Sequence, residues 1–300
     1  MIVGGRKPYF FDLLLLTVVI IWGFNFAVMK LVYQSIHPIA FNAVRFVIAS
    51  TAVILLLKLA GVSMRIERED IPGVVWLGFV TNTVYQFLFV LGLYRTKAGN
   101  AGLLMALAPI FAYVIGVFMK RERFSPGVLT GIVVSLIGVF AIVYLGSAEI
   151  AFGANLAGDF MIIAAAFCWG WYSAASTRWL PKYGPLRLTV LSMISGTAVL
   201  LPLSTPWLLR QNWSGIGRTA WLGVGYSALL SIVYSYFIWA HALNTIGVAH
   251  TAVFSNVTPI VALIAGWVML GERPLAAQLV GVVLVLTGVF MVRSRMRIGN

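Results

Sequence analysis

LYRTKAGNAGLLMALAPIFAYVIGVFMKRERFSPGVLTGIVVSLIGVF, residues 93–140, lies on LNTIGVAHTAVFSNVTPIVALIAGWVMLGERPLAAQLVGVVLVLTGVF, residues 243–290, at one constant offset and without a gap. Leu93 falls on Leu243, Pro109-Ile110 on Pro259-Ile260, Gly116 on Gly266, Met119 on Met269 and Glu122-Arg123 on Glu272-Arg273. Further on, Gly131 meets Gly281, and Gly138-Val139-Phe140 meets Gly288-Val289-Phe290. A looser echo sets Trp22-Gly23 on Trp169-Gly170. Two like halves in so apolar a chain predict a transporter with its binding site at the interface between repeats.

Composition explains why the background is apolar. The 300 residues are 61% hydrophobic and 10% charged, whereas about a quarter of a soluble domain is charged. The chain therefore reads as a polytopic membrane protein. Its net charge of +13 is not a nucleic-acid surface, because the basic residues sit at the ends of apolar stretches, where they set topology and attract anionic headgroups. The first apolar run lacks a small-residue cleavage site and leads straight into further spans, so no cleavable signal peptide is expected. A single cysteine, Cys168, excludes an intramolecular disulfide, a Cys-rich metal site and a redox pair.

Stretches of roughly the 20 residues that cross a bilayer fall near 10–32, 38–60, 72–93, 99–119, 126–145, 158–180, 185–206, 218–243, 248–270 and 275–293. Turn chemistry separates them: His37-Pro38, Gly61, Ile71-Pro72, Gly99, Ser125-Pro126, Gly153, Gly184-Pro185, Gly247 and Arg273-Pro274. The predicted fold is all-α integral membrane, ten transmembrane helices as two inverted five-helix repeats, 1–147 and 148–300, around a central cavity. With the N-terminus cytoplasmic, fourteen of the basic residues lie on that side and six on the other, which favours both termini inside. Five spans per repeat then place the Glu122 turn in the cytoplasm and the Glu272 turn outside. Such inversion lets one scaffold adopt two mirror-related gates.

Pro109 and Pro259 each remove a backbone donor within a span and free the carbonyl four residues before, that of Met105 or Ser255. Their recurrence in both repeats marks them as hinges, the alternative being a static kink tolerated by packing. Polar residues at membrane depth fall on defined faces: Asn42 and Arg45 on span two; Asn82, Tyr85 and Gln86 on span three; Tyr234 and Trp239 on span eight. Asn100 and His250 are aligned copies, Asn256 lies further along span nine, and Trp22, Asn25, Trp169 and Tyr172 sit at the matched Trp-Gly positions. Polar groups are costly against lipid, so these side chains are expected at the cavity, Arg45 above all. For Ser227, Ser231 and Ser235 plain interhelical hydrogen bonding is the better reading.

All eight carboxylates lie in loops or near span ends, so no acid at the membrane centre offers a proton relay. Glu122 and Glu272 each precede a helix and are read as offsetting its N-terminal dipole. The sequence holds no phosphate loop, H-E-x-x-H, nucleophile elbow or acidic metal cluster, so catalytic residues, metal and cofactor are not expected.

Ten spans as five plus five, a Trp-Gly turn in each half, Pro109 and Pro259 in each fourth span, and the Glu122 and Glu272 turns before glycine-rich last spans together resemble the drug/metabolite transporter superfamily, EamA type. That resemblance implies a basket of helices around a central cavity, braced by spans five and ten, and export of amino acids, aromatic ones included, or related metabolites. The function expected is therefore a bacterial inner-membrane exporter working by alternating access as a monomer, its partners a small-molecule substrate and the lipid bilayer rather than nucleic acid. The competing readings are an integral-membrane lipid- or headgroup-processing enzyme and a passive channel.

Overall fold

The computed structural model describes residues 8–96, 98–144, 156–261, 263–264 and 275–298, and among them every regular element is helical. A bilayer imposes this, since a helix satisfies its own backbone groups where no water can. The spans are α1 Pro8–Val32, α2 Pro38–Leu59, α3 Ile71–Arg95, α4 Ala98–Phe118, α5 Pro126–Tyr144, α6 Leu156–Ser176, α7 Leu180–Arg210, α8 Arg218–Ile246, α9 Val248–Val261 and α10 Ala276–Ile298. Among the described residues nine of these are long and apolar enough to cross a membrane, and α9 is the shorter tenth. The predicted turns at Gly153 and at Glu272-Arg273 lie outside the described residues, as does the 147/148 boundary.

Boundaries differ most at α7, which starts at Leu180 rather than near residue 185. Gly184 takes φ 73, a left-handed backbone that only glycine adopts cheaply, so the chain bends before Pro185 and helix continues on both sides. Leu13, Leu55, Phe118, Leu222 and Phe290 are exposed on the outside, whereas Asn42, Arg45, Asn82, Gln86 and Asn256 are buried. Apolar outside and polar inside suits lipid as the solvent.

α5 and α10 pack backbone to backbone. A Cβ on Gly138 would stand 2.7 Å from the Gly281 carbonyl oxygen, and a Cβ on Gly281 would stand 2.7 Å from that of Gly138. Gly131 and Gly288 meet in the same reciprocal way, so the two helices run antiparallel. Each glycine thus touches the repeat copy of the other glycine on its helix. Trp22 and Trp169 also touch each other, edge to face at 5.4 Å. At the offset they define, Ser50 corresponds to Thr197, and their hydroxyls lie 2.9 Å apart.

Besides α7, four spans depart from α geometry among the described residues. α3 carries a π turn at Val80–Val84 and α8 one at Ser227–Tyr234. α4 loosens at residues 106–107, just before Pro109, and α9 tightens into a 3-10 turn at Phe254–Val257, just before Pro259.

The α4–α5 turn plugs into the second half. The Gly116 carbonyl accepts the N–H groups of Arg121 at 2.8 Å and Glu122 at 3.1 Å, which aims the Glu122 carboxylate across the molecule. Its Oε1 accepts from the backbone N–H of Val248 at 2.6 Å and of Ala249 at 3.2 Å. Glu122 therefore caps α9, not the α5 it precedes, and the N-terminal charge of α9 is what it offsets. Burial raises its pKa, outweighing the lowering by those two N–H bonds. Stability linked to this group is then fully present below the unfolded pKa and is lost as pH rises through the raised native value. Melting temperatures of wild type and Glu122→Gln, compared from about pH 4 to about pH 8, should show wild type losing ground as pH rises. A difference that is flat with pH contradicts this account.

Candidate functional site

A cavity with about 730 Å³ of empty space, solvent at its mouth included, opens among the spans of both halves. Trp22, Asn25 and Phe26 of α1, Arg45 of α2, and Tyr85, Gln86 and Phe89 of α3 form one part of its wall. Gly102, Met105, Ala106 and Ala108 of α4 complete the first half's contribution, and Trp169 of α6, Ser231, Ile232 and Tyr236 of α8, and Ser255 and Thr258 of α9 supply the second's.

Arg45 is 2% exposed and is held by neutral groups. Its Nε donates to Asn42 Oδ1 at 2.9 Å, one turn back on the same helix. Nη1 donates to Ser227 Oγ at 2.9 Å and to Met29 Sδ at 3.6 Å. Nη2 donates to Gln86 Oε1 at 2.6 Å, and Gln86 is itself oriented by donating from Nε2 to the Tyr236 hydroxyl at 2.8 Å. Ser227 begins the π turn of α8, and Gln86 follows the π turn of α3, so both irregular helices end on the guanidinium. The Phe41 and Phe46 rings flank it, 5.0 and 5.9 Å from Cζ. Among the described residues no carboxylate pairs with Arg45 and none lines the cavity. A buried cation so placed is electrostatically uncompensated by any described carboxylate.

Aromatic rings form the other half of the site. Trp169 packs against Trp22, Tyr85, Tyr172, Tyr236 and Trp239, with every centroid between 5.2 and 5.5 Å. Two indoles are anchored: Trp22 Nε1 donates to the Ser231 carbonyl at 3.1 Å, and Trp239 Nε1 to Ser173 Oγ at 3.2 Å. Met105 and Ser255, the residues four before Pro109 and Pro259, both line the cavity. Proline removes the helical donor that their carbonyls would otherwise meet, but the Ser255 carbonyl is not freed as the sequence suggested, because the 3-10 turn gives it the Thr258 N–H instead.

Of the candidates read from sequence, Trp22, Asn25, Arg45, Tyr85, Gln86 and Trp169 line this cavity. Asn42, Tyr172 and Trp239 stand directly behind them, through the contacts just given. The others are placed elsewhere. Asn82 donates to the Ser192 carbonyl of α7 at 2.9 Å, Asn256 to Ser135 Oγ of α5 at 2.7 Å, and the Tyr234 hydroxyl meets Thr17 Oγ1 at 2.7 Å. Asn100 is buried in α4 away from the lining. His250 Nε2 lies 2.9 Å from Asp12 Oδ1, whose Oδ2 is 2.6 Å from Arg293 Nη2, so the three side chains bring α9, α1 and α10 together. Interhelical bonding in membranes uses the same residue types as ligand binding, and spacing along a helix does not separate the two.

Ser227, read from sequence as an interhelical hydrogen bonder, is one here, to Arg45, and Ser231, read the same way, lines the cavity; Tyr236 and Met29 are site residues that span-by-span reading passes over. One signal for Tyr236 does exist: the constant offset, carried back from Leu93 and Leu243, sets it on Gln86. Among the described residues no group of three or more His, Cys, Asp or Glu side chains is arranged to hold a metal.

The model of the EamA-like transporter family matches residues 10–144 and 156–294. The chain belongs to this family. Its relatives align over most of its length: an uncharacterized transporter of Archaeoglobus fulgidus is 29% identical over 90% of this chain and 94% of its own. A probable amino-acid metabolite efflux pump of Salmonella typhimurium is 27% identical, with 96% and 95% covered. A probable terminal-alkyne amino-acid exporter of Streptantibioticus cattleyicolor is 27% identical, with 94% and 92% covered. A solved crystal structure superposes with a TM-score of 0.80 at 20% identity, covering 97% of this chain and 99% of that one, so the two share a fold. The chain is therefore a multi-pass membrane transporter that acts on a small molecule within the bilayer.

Proposed function

We propose that this transporter exports amino acids and related carboxylate-bearing metabolites, aromatic ones included, across the bacterial inner membrane by alternating access. The observation that carries the reading is Arg45, a guanidinium in the cavity wall without a carboxylate partner among the described residues. A substrate carboxylate supplies the missing charge, and the Trp22, Tyr85 and Trp169 rings accept an apolar or aromatic side chain. Relatives named as amino-acid exporters support the same class. In this reading residues 1–147 and 148–300 are inverted repeats, with both termini cytoplasmic. The reciprocal glycine contacts of α5 with α10, and the self-contacts of the Trp22/Trp169 and Ser50/Thr197 pairs, are what a two-fold axis in the membrane plane predicts.

Purified protein in proteoliposomes tests the assignment. Saturable flux of labelled L-amino acids, recovered chemically unchanged, is expected. Modified product points to the enzyme reading, and non-saturating flux to a channel.

Pro109 and Pro259 act as the hinges, because each sits beside a break in its helix. Pro109→Ala and Pro259→Ala are each expected to slow flux about tenfold, while thermal stability holds or rises as a backbone hydrogen bond is restored. Stability and flux falling in proportion would instead mark the prolines as structural.

A further inference from the structure

Asn25 lies on the cavity wall beside Arg45 and is only 5% exposed. Its Nδ2 donates to Met29 Sδ at 3.1 Å, and the same sulfur accepts from Arg45 Nη1 at 3.6 Å. One thioether thus brings the amide and the guanidinium to neighbouring points of one wall. The sulfur also fixes the sense of the amide, because a thioether only accepts. With Nδ2 committed, Oδ1 is the group left over, and it has no hydrogen-bond partner among the described residues. A buried amide oxygen without a donor is costly. Arg45 is its complement: of five N–H groups, one goes to Asn42, two to Ser227 and Met29, and one to Gln86, so one on Nη2 remains.

Resting on the reading of the cavity as a carboxylate-solute site, we infer that Asn25 Oδ1 is the acceptor for the substrate's α-ammonium group, and that Asn25 makes the transporter select α-amino acids over the corresponding deaminated acids. The carboxylate lies on Arg45, the ammonium donates to Asn25, and the side chain projects among Trp22, Tyr85 and Trp169. Arg45 alone would hold any organic carboxylate. A donor group beside the carboxylate is what Asn25 demands, and a site built around a hydrogen bond rejects the analogue lacking it, because its own polar group is then left unpaired.

The test is the flux ratio, in proteoliposomes of the full chain, of L-phenylalanine to 3-phenylpropanoate and of L-leucine to 4-methylpentanoate. Wild type should favour the amino acid in at least one pair, and Asn25→Leu, which keeps the branched shape and removes the acceptor, should lower that ratio about tenfold. Asn25→Asp retains acceptor oxygens and should keep or raise the ratio. If Asn25→Leu does not fold, Asn25→Asp decides alone, and a ratio falling toward one overturns the inference. An unchanged ratio in Asn25→Leu, or a wild type that moves both members of each pair equally well, overturns it while leaving the carboxylate reading intact. Absence of flux for every solute overturns both.

Discussion

Arg45→Met is expected to lower substrate flux by about a hundredfold or more while changing stability by no more than about 2 kcal/mol. The two effects separate because they have different origins. In the folded protein the guanidinium's desolvation, several kcal/mol, is offset by its charge-assisted bonds to Asn42, Ser227 and Gln86, each worth about 1.5–3 kcal/mol. Removing the side chain deletes both sides of that balance, and water in the cavity can reach the acceptors left behind. A carboxylate bound as proposed has no such compensation, since among the described residues no other cation lines the cavity. Arg45→Lys keeps the charge but loses the fork that joins Asn42, Ser227 and Gln86, and should retain about a tenth of the flux. Flux per folded molecule, with melting temperature measured on the same preparations, decides the matter. Near-normal flux in Arg45→Met contradicts the assignment.

Gly138→Leu is expected to destabilise the protein by about 3 kcal/mol. Its Cβ would lie 2.6 Å from the Val285 backbone nitrogen and 2.7 Å from the Gly281 carbonyl oxygen. Backbone cannot step aside as a side chain does, so α5 and α10 would have to separate. Gly281→Leu meets the same wall from the other helix and should behave alike. Gly225 provides the control, because a Cβ there meets nothing within 4 Å. Gly225→Ala should be neutral or stabilising by up to about 1 kcal/mol. Thermal melting in detergent compares the three, and a Gly138→Leu protein as stable as Gly225→Ala contradicts this packing.

Most of the fold is legible in the sequence because a bilayer leaves so few solutions. Ten apolar stretches separated by Pro and Gly turns become ten helices, and the constant offset already names the glycines that meet across α5 and α10. Arg45 is legible for the same reason, since a lone guanidinium within a span demands a partner. The π turns of α3 and α8 are not, because Val80–Val84 and Ser227–Tyr234 have ordinary helical compositions and their widening is a tertiary matter. With them went Tyr236 and the identity of the partner that Ser227 bonds across the helices, Arg45. Asn82, Asn256 and His250 show the converse. Each is polar and buried in a span near the cavity, yet each is used by a neighbouring helix, and which neighbour stands opposite is not written in the periodicity of one helix. Glu122 likewise reads locally as the cap of α5, whereas only the folded chain brings it to Val248 and Ala249.

Whether the Arg45 cavity carries the solute from one side to the other is tested most directly at Ser231, which lines it beside Trp22. In a Cys168→Ala background, Ser231→Cys would be labelled with a membrane-impermeant thiol reagent applied to one face at a time, with and without transported amino acid. Alternating access predicts labelling from each face, slowed from both by the substrate, with protection lost when Arg45→Met is added. A flux-competent protein that labels from one face only, or whose labelling no transported solute slows, would contradict the account.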